Sequence, residues 1–348
     1  MKNLVKTIRT CVSLVLLGFL MGCPNPDDDV FLDGDILMDD EGMSLELLLT
    51  IETEEDQIGA IASNATAIFN DQVWSIGGNR PGTRIDQSDI WRSENGVAWV
   101  SIAENPFAYR TEGKLISYNG KLWLIGGRDL DGNAIAEVWS SETGLSWNLV
   151  TNTPAFGAAV NHDVVVFDNR LFLIARNIDS PENTSVWSST DGIDWQLEAE
   201  NAFTGREEFS AVVFNGAIYV LGGFDPTDAS LPITNEIWTS TNGADWSRVE
   251  TNTIFQSRYA HTATVYKNKV FVTGGIGTTS SSLGIQGNLW YSEDMVNWFE
   301  YEPFRSDIGV AEHSALVFEG KLWLFFGIEG GEFPDGEQSS RIVSILEE

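Results

Sequence analysis

The sequence predicts an all-β fold made of six copies of one four-stranded unit. Three observations carry that expectation. The phrase VWSSTDGIDW (Val186–Trp195) has four relatives: IWRSENGVAW from Ile90, VWSSETGLSW from Val138, IWTSTNGADW from Ile237 and LWYSEDMVNW from Leu289. A second phrase, VWSIGG in its first copy, puts its leading glycine or a stand-in at Gly77, Gly126, Ala175, Gly222, Gly274 and Phe326, in steps of 49, 49, 47, 52 and 52 residues. Self-similarity at that period signals an array of supersecondary units. Within each period, apolar runs of four to seven residues alternate with turn residues, which is a strand pattern and not a helical one.

The N-terminus stands apart from the array. MKNLVKTIR carries Lys2, Lys6 and Arg9, and the apolar run CVSLVLLGFLMG follows. That run is too short to span a bilayer and has the layout of an export signal. Leu20-Met21-Gly22-Cys23 resembles the bacterial lipobox, which implies that Cys23 is lipidated and becomes the new N-terminus. The expected organisation is a signal peptide at 1–22, an acidic tether at 23–43 beginning with the lipidated Cys23, and the array at 44–348. The expected location is the bacterial cell envelope, periplasm-facing or surface-exposed. Cys11 falls in the signal, so a mature chain with lipid on Cys23 has neither a free thiol nor a disulfide. Removing three basic residues with the signal takes the formal charge from −31 to about −34. Such a surface repels phosphate backbones and anionic head groups, so no nucleic-acid partner is expected and membrane contact comes through the anchor alone. The chain is expected to be a monomer.

Repeat four shows the unit. SAVVFNG and AIYVLGG form one hairpin, and NEIWTSTNG with DWSRVE forms a second. Turn residues such as Asn215-Gly216 and Asp191-Gly192 tolerate the positive φ that a two-residue hairpin requires. The paired Trp flank the second turn, where their apolar area suits them to fill the gap between neighbouring sheets. The Ser between them is expected to bond turn backbone. Repeat six ends at RIVSILEE without a fourth strand, while SLELLLTIE (Ser44–Glu52) stands before repeat one without a partner. Pairing the two removes two exposed edges.

RYAHTATVYKNKVFVTGG (Arg258–Gly275) resembles the kelch pattern of Arg, His, an apolar strand, a turn, an aromatic and two glycines. The resemblance covers about residues 45 to 348. It implies a β-propeller, here six-bladed, of four-stranded kelch-like blades with the ring closed by the N-terminal strand. The aromatic-to-Trp spacing is one residue longer than the family's, and Ala175-Arg176 replaces the glycine pair in repeat three. The turn SxDGxxW also resembles the sialidase Asp box, one residue short.

In this strand order, the long loops after the glycines share a face with the loops entering each first strand. Thirteen residues before each leading glycine position stand Asn64, Gly113, His162, Phe209, His261 and His313, so all three His of the chain are equivalent. One residue earlier come Glu112, Glu208 and Glu312, and three earlier come Arg110, Arg206 and Arg258. These nine residues are the candidate ligand site, at the mouth of the central channel. Three His suit a metal, and Arg beside Glu suits a carboxylate or a sugar. The competing reading has them satisfying loop backbone and one another, and no metal or other cofactor is expected. Asp129 and Asp131 in RDLDG offer oxygen ligands of the calcium type without a full motif.

The favoured function is a non-catalytic binding or scaffold module for a glycan or protein. The alternative is a sugar-active enzyme. Galactose oxidase chemistry is excluded, because its Tyr–Cys crosslink has no cysteine after Cys23 to build on. Resemblance to a kelch-type sialic acid mutarotase implies Arg206, Glu207 and Glu208 as anion clamp and proton-transfer groups. No nucleophile with its base and no phosphate loop is present.

Overall fold

The computed structural model describes residues 37–38, 44–53, 58–80, 89–102, 106–177, 179–227, 232–278, 283–301, 309–330 and 337–347. The signal segment and Cys23 lie outside these residues, as do parts of four of the loops after the glycine pairs. The described residues form strands and turns, with six four-stranded antiparallel sheets. Repeat four illustrates the order: Ser210–Phe214, Ala217–Leu221, Ile237–Ser240 and Ser247–Arg248 lie side by side in chain order. Repeats one, two, three and five follow the same plan. The last sheet combines Ser314–Phe318, Lys321–Phe325 and Ile342–Glu347 with Leu47–Thr53. Leu47 faces Glu347 and Ile51 faces Val343, with a bulge before Thr53. The Tyr301 hydroxyl of repeat five accepts from the Leu47 amide at 3.3 Å, and Lys321 pairs with Glu52 at 3.0 Å. Successive first strands adjoin one another, and that of repeat six adjoins that of repeat one. Leu37–Met38, within the stretch expected to be tether, pairs with Ser44–Leu45.

The recurring phrases explain how sheets pack on sheets. Trp74, Trp123 and Trp323, on second strands, are buried, and each indole donates to the carbonyl five residues back. Each ring lies against the hairpin glycine of the following sheet. A Cβ on Gly144 would sit 2.3 Å from Trp74, one on Gly192 2.3 Å from Trp123, and one on Gly96 2.9 Å from Trp323. Glycine at that place therefore satisfies both a left-handed φ and a missing volume. Repeat five carries Met295 there, still at φ +67, and its side chain fills the space beside Tyr219, which replaces the indole in repeat four. The second Trp of the phrase is buried in Trp99, Trp147, Trp195 and Trp298, while the first is only partly buried. The wedge is thus the second Trp together with the second-strand aromatic. The expected serine role holds, with the hydroxyls of Ser141, Ser189, Ser240 and Ser292 accepting from the amide three residues on at 2.7–2.8 Å.

Candidate functional site

Six equivalent residues precede the first strands: Ser63, Glu112, Asn161, Glu208, Ala260 and Glu312. All six take left-handed backbone, with φ between +50 and +57. Non-glycine residues do so only where surroundings enforce it. Here the enforcement is a belt of backbone hydrogen bonds. The amide of Ser63 donates to Glu312, Glu112 to Ser63, Ala260 to Glu208 and Glu312 to Ala260, each at 2.9 Å, and Glu208 to Asn161 at 3.3 Å. The belt rims a cavity of ≈ 370 Å³, to which every repeat contributes one equivalent stretch. Below the rim lies a polar layer with Lys114, Asp163, Ser210, Thr262 and Ser314, and below that Leu115, Val164, Ala211, Ala263 and Ala315.

The rim places Glu112, Glu208 and Glu312 on alternate repeats. Arg128 holds Glu112 through Nε at 3.1 and 3.0 Å to its two oxygens, and Ser63 donates to Glu312. Burial raises all three carboxyls above the usual range. Glu208 is pushed up to about 8, first by burial and then by the charges of Glu312, Glu112 and Glu207. Tyr259 is pushed up to about 12 by burial and by Glu208 and Glu312. It stands 4.9 Å from Phe224, ring centre to ring centre. On the wall, Lys114 approaches Asp163 at 3.5 Å.

The three histidines line the cavity, but their rings turn toward the adjoining sheet. Cε1 of His162, His261 and His313 occupies the space where a Cβ on Gly126, Gly222 or Gly274 would stand. Burial drives His162 and His313 down to about 3 and His261 well below its ordinary value, so all three are neutral. Among the described residues, no group of three or more His, Cys, Asp or Glu is placed to hold a metal ion. Asp129 spends its carboxylate on its own loop, accepting from the amides of Asp131 and Asn133.

Arg110, Arg206 and Arg258 are absent from the cavity wall. Each donates to the carbonyl of the leading glycine sixteen residues on, Gly126, Gly222 or Gly274. Each also bonds the residue two before the phrase's first Trp, namely Glu137, Glu236 or Asn288. Each guanidinium sits over a ring three residues earlier, Phe107, Phe203 or Phe255, at 5.3–5.7 Å. These arginines therefore brace their repeats and do not face the axis. Glu207 is likewise committed, to Arg176 at 2.6 Å and Asn161 at 2.8 Å. Of the Arg206, Glu207 and Glu208 run, only Glu208 faces the cavity. Sequence reasoning missed Arg128, Arg176, Tyr259, Lys114 and Asp163. Two signals pointed to the four charged ones: the basic residues that follow or replace the glycine pair, and the charges one position beyond the histidine place.

A family model described as the DUF6242 beta propeller domain matches residues 145–255. "Putative protein tag-53" of Caenorhabditis elegans is 25% identical over 138 residues, 36% of this chain and 10% of that protein. The chain thus spans about a tenth of that relative's length. The solved structure titled "Structure of YjhT" superposes with a TM-score of 0.66 at 13% identity, covering 84% of this chain and 96% of that one. At such identity the likeness shows the fold alone. Its agreement with the four-stranded antiparallel sheets identifies the chain as an all-β protein with a β-propeller fold.

Proposed function

We propose that this is a six-bladed, kelch-like propeller, closed into a ring by Leu47–Thr53 and tethered to a bacterial envelope through lipid on Cys23. It binds a small polar group, of a glycan or a protein, at the axial mouth without turning it over. The observation that carries this reading is the cavity to which all six repeats contribute one equivalent stretch. Its size falls in the range of small-molecule sites. The pairing of Leu47–Thr53 with Ile342–Glu347 supports the closed ring.

A glycan array with the purified propeller tests the binding reading, with selective retention the expected result. Glu208 favours one second reading. A cavity-facing carboxyl poised near neutrality suits proton transfer in a sugar-active enzyme. A sialic acid anomerisation assay separates the two. Turnover that Glu208→Gln abolishes would replace the binding module with an enzyme.

A further inference from the structure

We propose that Asn215, at the tip of the first hairpin of repeat four, is a site of spontaneous covalent modification. Its carboxamide is lost as ammonia, leaving aspartate and isoaspartate, while the same dipeptide elsewhere in the chain is shielded by the fold. Asn-Gly occurs four times, at Asn95-Gly96, Asn119-Gly120, Asn215-Gly216 and Asn242-Gly243.

The step needs only water. The glycine peptide nitrogen attacks Cγ of the preceding Asn and gives up its proton. The carboxamide C–N bond breaks, and its nitrogen leaves with that proton as ammonia. Water then opens the cyclic imide at either carbonyl. One opening leaves aspartate, and the other routes the main chain through the side chain as isoaspartate. Glycine favours the attack because no Cβ shields its nitrogen.

The fold treats the four pairs differently. Asn95 and Asn242 lie in second hairpins, whose glycines are buried against an adjoining sheet. A Cβ on Gly96 would sit 2.9 Å from Trp323, and one on Gly243 2.1 Å from Phe172. Asn242 Oδ1 accepts from the amides of Ala244 and Asp245, each at 2.9 Å, and Nδ2 donates to Asp245. Asn95 Oδ1 accepts from the amides of Val97 and Ala98 at 2.9 and 2.8 Å. The attacking nitrogen of Gly243 is itself held, donating to Ser240 Oγ at 2.8 Å. Carboxamide and nucleophile are both fixed there, against a neighbour that leaves no room to turn.

Asn119 and Asn215 lie in first hairpins. Both are exposed together with their glycines, and nothing stands within 4 Å of a Cβ placed on Gly120 or Gly216. Asn119 is still held by repeat three. Its Nδ2 reaches the Thr190 carbonyl at 3.4 Å, and the Tyr118 hydroxyl beside it contacts the carbonyls of Asn169 and Thr190. Repeat four has Phe214 in place of that tyrosine. Among the described residues, the Asn215 side chain makes no hydrogen bond. Asn215 and Gly216 are left-handed, at φ +47 and +77, so the turn must open before nitrogen and Cγ meet. Opening costs least where the fewest contacts break, which singles out Asn215. Either product adds a negative charge to the tip. Isoaspartate also inserts a backbone carbon between Phe214 and Ala217, which face each other across the turn.

Peptide mapping by mass spectrometry of the purified full chain tests the proposal. Ageing at neutral pH in water enriched in heavy oxygen separates conversion during ageing from conversion during digestion. Labelled acid is expected at Asn215 about tenfold or more faster than at Asn95 or Asn242, with Asn119 between them. In concentrated urea, which removes the shielding, the four rates should converge. Equal rates at the four sites of the folded chain overturn the proposal. So does an Asn215 that reacts only in urea.

Discussion

Two junctions between neighbouring sheets solve one packing problem in opposite ways. Where repeat five meets repeat six, Gly274 bends the chain at φ +61 and the edge of His313 fills the vacated space. Thr262 and Thr273 hydroxyls secure that ring at 3.1 and 2.9 Å. Where repeat three meets repeat four, the glycine is Ala175 and the histidine is Phe209. There the second strand does not bend but runs on to Arg176, still paired with Thr184. Phe209 joins Ile174, Val186 and Val220 in an apolar cluster. The repeat six to repeat one junction is a third solution, with Phe326 forced to φ +60 against Trp99 and Asn64 in the histidine place. At three junctions glycine and histidine are therefore one unit: the glycine removes a side chain and the imidazole of the next sheet replaces it. Where the glycine is lost the histidine is lost too, whereas Gly77 keeps its left-handed bend opposite Gly113 without an imidazole.

The comparison can be broken most forcefully at the glycine. Gly274→Ala puts a Cβ 2.0 Å from the Val310 carbonyl oxygen. Backbone cannot retreat as a flexible side chain can, so a loss of about 3 kcal/mol or more in urea unfolding is expected. Ala175→Gly, on extended backbone, should cost under about 1 kcal/mol. Equal losses at the two sites would remove the distinction.

Phe209→His asks whether an imidazole can be accommodated without its glycine. A buried ring with no slot and no hydroxyl partner should cost about 2 kcal/mol in the same measurement. A neutral result would mean that the histidine needs no glycine opposite.

The smallest effect is in the pH profile. His162 and His313 titrate near 3 folded against 6.5 ordinarily, so stability present above pH 6.5 is lost as pH falls toward 3. Glu208 titrates near 8 folded against 4.5, so stability present below pH 4.5 is lost as pH rises through 8. Melting temperature should therefore fall on both sides. Glu208→Gln should flatten the alkaline limb and His313→Gln the acid limb. The Phe209 junction contributes to neither, and Phe209→His should steepen the acid limb. Unmoved limbs in these variants would detach the pH response from the junctions and the rim.

Much of the fold was legible because its signals are local. Hairpin turns, serine bonds within three residues and the two recurring phrases depend on short-range chemistry, which repeats with the sequence. Counting back thirteen residues also found the rim, since equivalent positions in a radial array must share a level. The direction of side chains at that level was not legible. Arg110, Arg206 and Arg258 resemble an anion clamp in the sequence. Yet Phe107, Phe203 and Phe255 stand three residues before them, a repeated pattern that now reads as a brace.

The sequence by itself determined a sixfold array of strands, the turn chemistry, and the level at which the three Glu and three His gather. Only the tertiary structure decided that the histidines point into gaps left by glycine on the adjoining sheet, that the arginines turn away from the cavity to brace their own repeats, and that Glu208 faces the cavity without a side-chain partner among the described residues. The physical reason is that orientation depends on volumes and carbonyls supplied by other repeats, about fifty residues away, and these exist only once the sheets stand side by side.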